Sequence, residues 1–401
     1  MQFRKKCLSC NKKNLKEIIN LGKHSFADRF IAKKNLKKKH PLYPLIIDFC
    51  PKCLFIQSRV ITNPKDRYSK VDYSYTSSNS EYAQKHWIEF AESLNKKLTL
   101  SEKKILEIGS NDGFLCLEFE KRGAYCVGVD ASKFMTKISL KNKITSVNSI
   151  FDFKQSKKIK KKFGLFDIIV ANNVFNHSDA PSDFLKGVSN LLSNNGTFVF
   201  EQPDFAIGAT SLKFDQIYHE HISYFTNKNI KSLLDNNKFK LIDINRNEYH
   251  GGSLRSFAKK KSSIVQKKCF KPKKIKSYNQ IYNLKFYKNM MKKINKKRSL
   301  TLEKIFDLKN SGYIICGIGA GAKANTFLTY YNLDHQVVNF ITDASKYKKN
   351  KFTPFTKIPI KDDIELKKYK KIACIILSWN ISSLVVNKIK KLNKNIKILY
   401  T

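Results

Sequence analysis

Residues 106–114 decide the fold, and they read Leu-Glu-Ile-Gly-Ser-Asn-Asp-Gly-Phe. A short apolar strand over Lys104 to Ile108 contains an acidic residue near its end, and a glycine-rich turn follows that opens a helix. Glycine has no Cβ, so Gly109 permits a tight turn and Gly113 lets the helix start in close packing. The turn therefore predicts a place where a cofactor approaches the backbone at the end of a parallel strand.

Polar residues around this turn indicate which cofactor it holds. Glu107 is placed to accept hydrogen bonds from a cationic or amino group, and Asp130 follows the strand Tyr125 to Val129, where a carboxylate can bind two ribose hydroxyls. A dinucleotide site would instead require G-x-G-x-x-G, and Asn111 replaces the second glycine of that motif. The pattern favours S-adenosylmethionine and a class I methyltransferase over an α/β domain without a nucleotide. The predicted cofactor-binding residues are Glu107, Gly109, Asn111, Asp112, Gly113, Asp130 and Asn172.

Apolar strands alternate with helical stretches on both sides of the turn. A helix is expected around Glu81 to Leu98, and strands are expected at Lys104 to Ile108, Tyr125 to Val129, Phe166 to Val170 and Thr197 to Phe200. This alternation predicts a parallel sheet with helices on both faces. Thr226 is expected to cap a helix over Asn227 to Asn236.

A second glycine-rich turn lies far downstream. A lysine-rich helical stretch from about residue 260 to near Leu308 precedes the strand Tyr313 to Cys316 and the turn Gly317 to Gly321. Taken alone, this segment is typical of a dinucleotide fold, with Asp343 about twenty residues further on. The sequence therefore predicts a second, C-terminal α/β Rossmann-like domain.

Four of the nine cysteines form two C-x2-C pairs. Cys7, Cys10, Cys50 and Cys53 can offer four thiolates to one tetrahedral Zn²⁺, with about 2.3 Å from each sulfur to the metal. Since all four positions are filled by protein, the ion is expected to be structural and to stabilise a lobe too small to fold alone. The alternative is four free thiols.

Three histidines lie beyond the carboxyl ends of predicted strands, at positions 177, 219 and 221. A neutral histidine can remove a proton at pH 7, a neighbouring glutamate such as Glu220 can fix its tautomer, and a tyrosine hydroxyl such as that of Tyr218 can donate to a developing oxyanion. This is equipment for carbon-acid chemistry. Two alternatives remain: an H-x-H metal pair, for which no third ligand is evident, and ordinary surface or capping residues.

Length and charge limit the remaining possibilities. The chain has 401 residues and a formal net charge of +45, with lysine runs spread over all predicted surfaces. This spread favours a solvated lysine-rich surface, so no specific nucleic-acid partner is expected. No apolar run is long enough for a membrane helix, and no signal-peptide stretch is seen, so a cytoplasmic location without a membrane partner is expected. The predicted domains are a zinc-binding lobe at 1–66, a methyltransferase domain at 67–258 and a C-terminal α/β domain at 259–401.

Taken together, these residues resemble the sugar C-methyltransferases that act on nucleotide-linked keto-deoxysugars. That family has an N-terminal zinc-binding lobe, a central methyltransferase domain and a C-terminal domain, and the resemblance spans essentially the whole chain. The matching segments are the paired cysteines, Tyr43 to Leu45, residues 73–78, Leu106 to Phe114, Tyr218 to His221 with Ser223 to Phe225, His250 to Arg255, Gly319 to Thr326 and Ser378 to Asn380.

The resemblance implies a reaction and roles for particular residues. A base abstracts the proton α to a ketone on the sugar, and the enolate attacks the methyl group of S-adenosylmethionine in line. The base falls on His221, Tyr218 contacts the enolate oxygen, and Glu220 and His177 support the site. A hydroxyl from the loop holding Tyr73 and Tyr75 closes over the substrate, with Tyr73 preferred for catalysis and Tyr75 for substrate contact.

The resemblance also implies that the C-terminal domain helps to hold the nucleotide sugar. Its glycines would form a phosphate-accepting turn, with Lys323, Asn325 and Arg255 as substrate contacts, and an independent NAD site is the lesser alternative. One departure concerns substrate identity: the family tends to carry an acidic residue after Ser378 to Asn380, where this chain has Ile381. An RNA methyltransferase, an O- or N-methyltransferase on a small molecule and a zinc-dependent assembly protein with an inactive methyltransferase fold remain as rival functions.

Overall fold

The computed structural model describes residues 2–69, 76–78, 80–263 and 275–400. The N-terminal lobe is a small antiparallel sheet in which β4 pairs with both β2 and β5. Its strands are β1 (Gln2–Phe3), β2 (Lys16–His24), β3 (Ile31–Ala32), β4 (Tyr43–Phe49), β5 (Ile56–Ser58) and β6 (Val60–Ile61). A π-helical turn over Lys65–Ser69 leads out of the lobe.

The central domain is a seven-stranded sheet of order β13-β14-β11-β10-β7-β8-β9. Its elements are α1 (Glu81–Leu98), β7 (Lys104–Ile108), α2 (Phe114–Glu120), β8 (Tyr125–Asp130), α3 (Lys133–Lys141), β9 (Thr145–Asn148), α4 (Phe153–Phe163), β10 (Phe166–Val170), α5 (Pro181–Leu191), β11 (Leu192–Pro203), α6 (Phe205–Thr210), β12 (Ser223–Tyr224), α7 (Asn227–Asn236), β13 (Phe239–Asn247) and β14 (Ser253–Lys260). The strands β7 to β11 are parallel, whereas β14 is antiparallel to both β11 and β13. The strand order reverses at β7, which places the ligand-binding edge of the sheet at the end of that strand.

The C-terminal domain has a five-stranded parallel sheet of order β18-β16-β15-β19-β20. Its elements are α8 (Leu284–Asn310), β15 (Ile314–Ile318), α9 (Ala322–Tyr331), β16 (Phe340–Thr342), β17 (Lys351–Phe352), β18 (Ile360–Lys361), β19 (Ile372–Ile376), α10 (Ser382–Leu392) and β20 (Lys397–Tyr400). The predicted Rossmann-like character of both larger domains is therefore confirmed.

The N-terminal lobe packs between the two larger domains. Its strand β5 pairs with β12 of the central domain, and its strand β3 pairs with β17 of the C-terminal domain. One apolar cluster joins Leu45 of the lobe to Tyr224 and to Tyr287 of α8, and another joins Phe55 to Phe225. These aromatic and aliphatic side chains are buried, so the three parts share apolar cores. Burial of each large side chain stabilises the fold by about 2 kcal/mol.

Local signals placed several elements correctly. The helix α1 and the strands β7 and β10 have the predicted bounds, and Thr226 caps α7 through a capping box with Asn229. The predicted helix from residue 260 is wrong at its start, because Lys259 and Lys260 lie in β14, where their Nζ atoms donate to carbonyls of Asn195 and Leu192. Among the described residues, no helix is long and apolar enough to span a membrane.

Candidate active site

A cavity of about 610 Å³ lies where the carboxyl ends of the two parallel sheets face each other. The central domain contributes Gly109, Asn111, Asp130, Asn172, His177, Tyr218 and His221 to its wall. The C-terminal domain contributes Gly319, Gly321, Lys323, Asp343 and Lys348, and the segment leading out of the N-terminal lobe contributes Arg67 and Tyr68. All three parts of the chain therefore form this one cavity.

The turn after β7 has the geometry that the sequence predicts. Gly109 has a φ of +79°, and a Cβ there would meet Val174 Cβ at 2.9 Å, so only glycine fits. The Gly109 N–H donates to the Val129 carbonyl at 2.7 Å, and the Asn111 N–H donates to Asp130 Oδ2 at 2.9 Å. The other Asp130 oxygen accepts from Ser132 N at 2.7 Å. Asp130 is thus fixed at the cavity wall by backbone groups.

Asn111 and Asp112 bind the chain segment that precedes α1. Ser77 N donates to Asn111 Oδ1 at 3.0 Å, and Ser78 Oγ donates to Asp112 Oδ2 at 2.6 Å. Gly113, with a φ of +82°, packs so closely on Ser139 that a Cβ would lie 2.5 Å from its hydroxyl. Asp112 and Gly113 therefore shape the turn from beneath, while Asn111 both shapes it and lines the cavity.

The remaining predicted cofactor residues fit a cationic cofactor. Glu107 does not line the cavity: its Oε2 accepts from Cys116 Sγ at 3.0 Å, and burial raises its pKa to about 8, so it is mainly protonated at pH 7. Asn172 accepts from Glu201 N at 3.0 Å, and its buried Nδ2 has no hydrogen-bond partner among the described residues. The carboxylates of Asp112 and Asp130 add negative charge nearby. An orphaned donor and several carboxyl groups beside a glycine turn suit S-adenosylmethionine, a sulfonium cation with a ribose and an amino acid end.

His221 and Tyr218 form the reactive part of the cavity wall. The Nδ1 of His221 lies 2.9 Å from the Gln216 carbonyl, so Nδ1 carries the proton and Nε2 is left as a lone-pair base. Burial, with a smaller contribution from the neighbouring imidazole of His177, holds the pKa of His221 well below its usual range. The ring of Tyr218 lies 3.9 Å from that of His221, centroid to centroid, and burial raises the pKa of its phenol well above 10. A neutral base thus stands beside a protonated phenol.

His177 is held by residues that sequence analysis missed. Its ring stacks on Tyr68 at 5.9 Å and lies 5.2 Å from the ring of His221. Arg67, next to Tyr68, is buried and forms an ion pair with Asp179 two residues after His177. Burial, with a smaller contribution from the charge of Arg67, lowers the pKa of His177 to about 3. No local motif marks Arg67 and Tyr68, because their partners lie more than a hundred residues away.

Three predicted site residues have other partners. Glu220 does not fix the tautomer of His221, because the Gln216 carbonyl does so; instead Glu220 Oε1 accepts from Asp28 N at 3.3 Å. Arg255 does not line the cavity, since its Nε donates to buried Glu201 at 2.8 Å. Asn325 does not line it either, because its amide donates to the Ala27 carbonyl. His219, the third histidine, is buried against the Pro44 carbonyl at 3.2 Å.

The turn after β15 repeats the arrangement of the first turn. The Ala320 N–H donates to Asp343 Oδ2 at 2.7 Å, and Ser345 N donates to Asp343 Oδ1 at 2.9 Å. Lys323 lies just inside α9, where its Nζ donates to the His250 carbonyl at 3.0 Å and lies 4.5 Å from the centre of the Trp379 ring. Burial lowers the pKa of Lys323 to about 8.

Two predicted residues, Tyr73 and Tyr75, lie outside the described residues. Ser77 and Ser78, which follow them, are bound by Asn111 and Asp112 as described above. The chain therefore re-enters the described structure beside the turn after β7. The roles of Tyr73 and Tyr75 stay predictions.

The four predicted metal ligands converge in the N-terminal lobe. Their Sγ atoms all lie within 4.8 Å of one another, with 3.5 Å between Cys7 and Cys53 and 3.6 Å between Cys10 and Cys50. Four thiolates around one Zn²⁺ at about 2.3 Å need sulfur-to-sulfur separations of about 3.8 Å. The cluster fits a zinc ion and leaves no ligand position for water or substrate.

Three family models match successive parts of the chain. The model described as "Putative zinc binding domain" matches residues 7–68, "Methyltransferase domain" matches residues 80–244, and "C-methyltransferase C-terminal domain" matches residues 248–399. These parts correspond to the lobe with the cysteine cluster, the domain with the first glycine turn and the domain with the second.

Individual proteins are also similar to this chain, over different shares of its length. C-methyltransferase NovU from Streptomyces niveus is 22% identical over 392 residues, which cover 97% of this chain and 93% of NovU. Magnesium protoporphyrin IX methyltransferase from Synechocystis PCC 6803, solved with bound SAH, is 16% identical over 44% of this chain and 82% of its own, with a TM-score of 0.36. The PH0226 protein from Pyrococcus horikoshii OT3 is 17% identical over 48% of this chain and 97% of its own, with a TM-score of 0.39.

Proposed function

We propose that this chain, an S-adenosylmethionine-dependent C-methyltransferase with a zinc-binding lobe, methylates the carbon next to a ketone in a nucleotide-linked keto-deoxysugar. The observation that best supports this proposal is the environment of the His221 imidazole. Its Nδ1 is hydrogen-bonded to a carbonyl, so Nε2 is available to a ligand in the cavity beside the Tyr218 phenol. Methylation of oxygen or nitrogen does not need a carbon-acid base paired with an oxyanion donor. Methylation of carbon through an enolate needs both.

His221 acts as the general base. Its Nε2 takes the proton from the carbon α to the ketone, and the electrons of that C–H bond form the enolate. Because burial keeps the imidazole neutral at pH 7, the base is ready without a prior deprotonation. The same burial makes His221 a weak base, so the enolate must be stabilised by other groups as it forms.

Tyr218 supplies that stabilisation. Its phenol has no hydrogen-bond partner among the described residues and stays protonated because burial raises its pKa. It can therefore donate to the oxygen on which charge develops. A donor that is already in place in a site removed from water costs little reorganisation during the reaction. When bound, S-adenosylmethionine supplies an electrophilic methyl group, and the turn holding Asp130 is the part of the chain that would orient it toward the enolate carbon.

The second glycine turn supports an anionic substrate. Lys323 and Lys348 line the C-terminal side of the cavity, and the turn Gly319 to Gly321 exposes backbone at the start of α9. A nucleotide-linked sugar carries a diphosphate, which cationic side chains and a helix N-terminus attract. The C-terminal side would hold the nucleotide while the sugar reaches His221.

The first experiment is transfer of labelled methyl from S-adenosylmethionine into a cell extract, followed by separation into RNA and small-nucleotide fractions. Label in a small RNase-resistant nucleotide fraction is the expected result, and it provides the substrate for identification. Label in RNase-sensitive material would instead make the +45 charge the functional feature and overturn the proposal. A C–CH3 signal in the NMR spectrum of the labelled product separates C-methylation from O- or N-methylation.

The enolate step has its own test. With S-adenosylhomocysteine in place of the methyl donor, the enzyme should exchange the α-proton of the keto-sugar for solvent deuterium without methylating it. Replacement of His221 by Ala should stop this exchange. Methyl transfer without any detectable exchange, in an enzyme whose His221→Ala variant remains active, would contradict the enolate mechanism.

A further inference from the structure

A loop of the zinc-binding lobe enters the cavity between the two larger domains. This loop, Phe26 to Asp28, follows β2 and precedes β3. Glu220 of the central domain accepts from its Asp28 N–H, and Asn325 of the C-terminal domain donates to its Ala27 carbonyl. Adjacent residues of one loop are thus bonded from opposite sides, which fixes the position of Asp28 relative to both domains.

The carboxylate of Asp28 lines the cavity and has no protein partner among the described residues. Its charge interacts with Lys348 and Asp343 on the C-terminal side, and with Tyr218 and Glu220 on the central side. Lys348 lies 3.4 Å from Asp343 Oδ2 and is therefore already engaged by another carboxylate. Asp28 stands between the nucleotide side and the reactive side of the cavity.

A cavity-lining carboxylate for which the described residues supply no hydrogen-bond donor points to a ligand. Burial raises the pKa of Asp28, with a further increase from the charge of Asp343, and Lys348 offsets only part of this. A desolvated carboxylate without a donor costs free energy that a ligand hydroxyl can restore. A sugar between a nucleotide and a reacting carbon offers ring hydroxyls at that position.

We propose that Asp28 is a specificity-determining residue that accepts a hydrogen bond from one ring hydroxyl of the sugar. The inference rests on the proposed function and deepens it, because it assigns part of substrate recognition to the zinc-binding lobe. Asp28 binds the substrate without exchanging a proton with the reacting carbon, so it sets which sugar is accepted and how the ring is turned toward His221.

The test combines Asp28 variants with matched sugars. Wild-type enzyme and the variants Asp28→Asn and Asp28→Ala are assayed with nucleoside-diphosphate 4-keto-6-deoxyhexoses and with analogues that each lack one ring hydroxyl. The expected result is that Asp28→Ala raises the KM by about tenfold or more, with kcat changed by less than about twofold. For one of the deoxy analogues, the KM of the wild-type enzyme should rise by the same factor. The KM of Asp28→Ala should not rise further with that analogue, because the hydrogen bond is already lost in the variant.

The controls separate this inference from the proposed function. Affinity for S-adenosylmethionine and the melting temperature should match wild type in Asp28→Asn, which keeps the shape of the side chain. If the wild-type enzyme methylates a keto-sugar and both variants show the same KM and the same discrimination among analogues, the role of Asp28 is refuted while the proposed function stands. If the wild-type enzyme neither methylates nor binds any keto-sugar, the proposed function and this inference fall together.

Discussion

The two glycine turns that face each other across the cavity have similar backbone hydrogen bonds but differ in the charge of the side chains around them. In each, a glycine with positive φ donates to the neighbouring strand at 2.7 Å, through Gly109 to Val129 and Gly319 to Thr342. In each, an aspartate at the end of that strand, Asp130 or Asp343, accepts two backbone hydrogen bonds. One comes from an N–H of the glycine turn, and the other comes from the N–H of the residue two positions after the aspartate. Backbone geometry alone therefore does not distinguish the two turns.

The side chains make the difference. In the first turn Glu107, two residues before the glycine, has its pKa raised to about 8 by burial, and Asp130 lines the cavity with Asp112 close by, so the negative charge at this turn comes from the two aspartates. In the second turn the corresponding position, two residues before Gly319, is Gly317, where a Cβ would meet Leu377 Cδ1 at 2.7 Å, and Lys323 and Lys348 line the cavity. Under the proposed function, the first turn would hold the sulfonium cation and the second the anionic substrate, so that one backbone arrangement would serve ligands of opposite charge.

The largest expected effect comes from loss of the zinc cluster, which would disturb both glycine turns at once. Replacement of Cys50 by Ser takes a ligand from the zinc-binding cluster, and because the lobe packs between both domains, the two glycine turns should lose their alignment together. We expect loss of zinc, measured by atomic absorption, together with loss of soluble protein. Replacement of Cys126, a buried cysteine outside the cluster, by Ala is the control. A soluble, zinc-free and active Cys50→Ser enzyme would contradict a structural zinc.

The second-largest expected effect concerns the central-domain side of the cavity, where the proposed general base lies. His221→Ala should lower kcat by about 10²- to 10⁴-fold because the general base is removed. Affinity for S-adenosylmethionine, measured by calorimetry, should stay within about twofold of wild type, since Asp130 and its turn are untouched. The exposed His335→Ala variant is the matched control. Equal losses of turnover and cofactor affinity would mean that His221 is structural.

A matched pair of substitutions separates the two turns directly. Asp130→Asn should weaken S-adenosylmethionine binding by about 10- to 100-fold, and Asp343→Asn should raise the KM of the nucleotide sugar by a similar factor, because each carboxylate holds its glycine turn through two backbone N–H groups and Asn keeps only one acceptor oxygen. Calorimetry with the cofactor and steady-state kinetics with the sugar measure the two effects. Crossed effects, in which Asp343→Asn weakens the cofactor instead, would reverse the assignment of the two sites.

The smallest effect is a pH dependence on the C-terminal side. The pKa of Lys323 is about 8, so its positive charge is present below pH 8 and lost above it. The KM for an anionic nucleotide sugar should therefore rise severalfold between pH 7 and pH 9. Lys323→Arg, which stays charged, should keep the KM constant over this range, and Lys323→Gln should hold it high at both ends. The same pH profile in all three proteins would exclude Lys323 as its source.

Local signals in the sequence predicted much of the fold and the centre of the site. The strand, turn and helix around Gly109 follow from apolar periodicity and glycine positions, and the cysteine quartet follows from spacing. The strand Tyr125 to Val129 predicts Asp130 at a strand end, and the pattern of a dinucleotide fold singles out Asp343, about twenty residues past the second glycine turn. Each of these features depends on residues close together in the chain, so the chain itself carries the information.

Long-range partners explain what sequence analysis missed. Glu220 and Arg255 have the chemistry of a site, but the same carboxylate and guanidinium also suit internal bonds, to the Asp28 backbone and to Glu201. Asn325 was expected to bind substrate, and it binds a loop almost three hundred residues away in the chain. Residue type shows what a side chain can do, whereas only the fold shows which partner it has.

The pairing of β5 with β12 has a consequence for synthesis on the ribosome. Ile56 and Gln57 emerge early, but their partners Tyr224 and Ser223 follow only about 170 residues later, roughly 10 to 30 seconds at ordinary rates of translation. Throughout that interval β5 presents an open edge with unpaired backbone groups, which is a hazard for aggregation. Early binding of zinc would fold the nascent lobe around β5 and limit the time for which this segment is unfolded. Zinc supply should therefore influence the yield of folded enzyme.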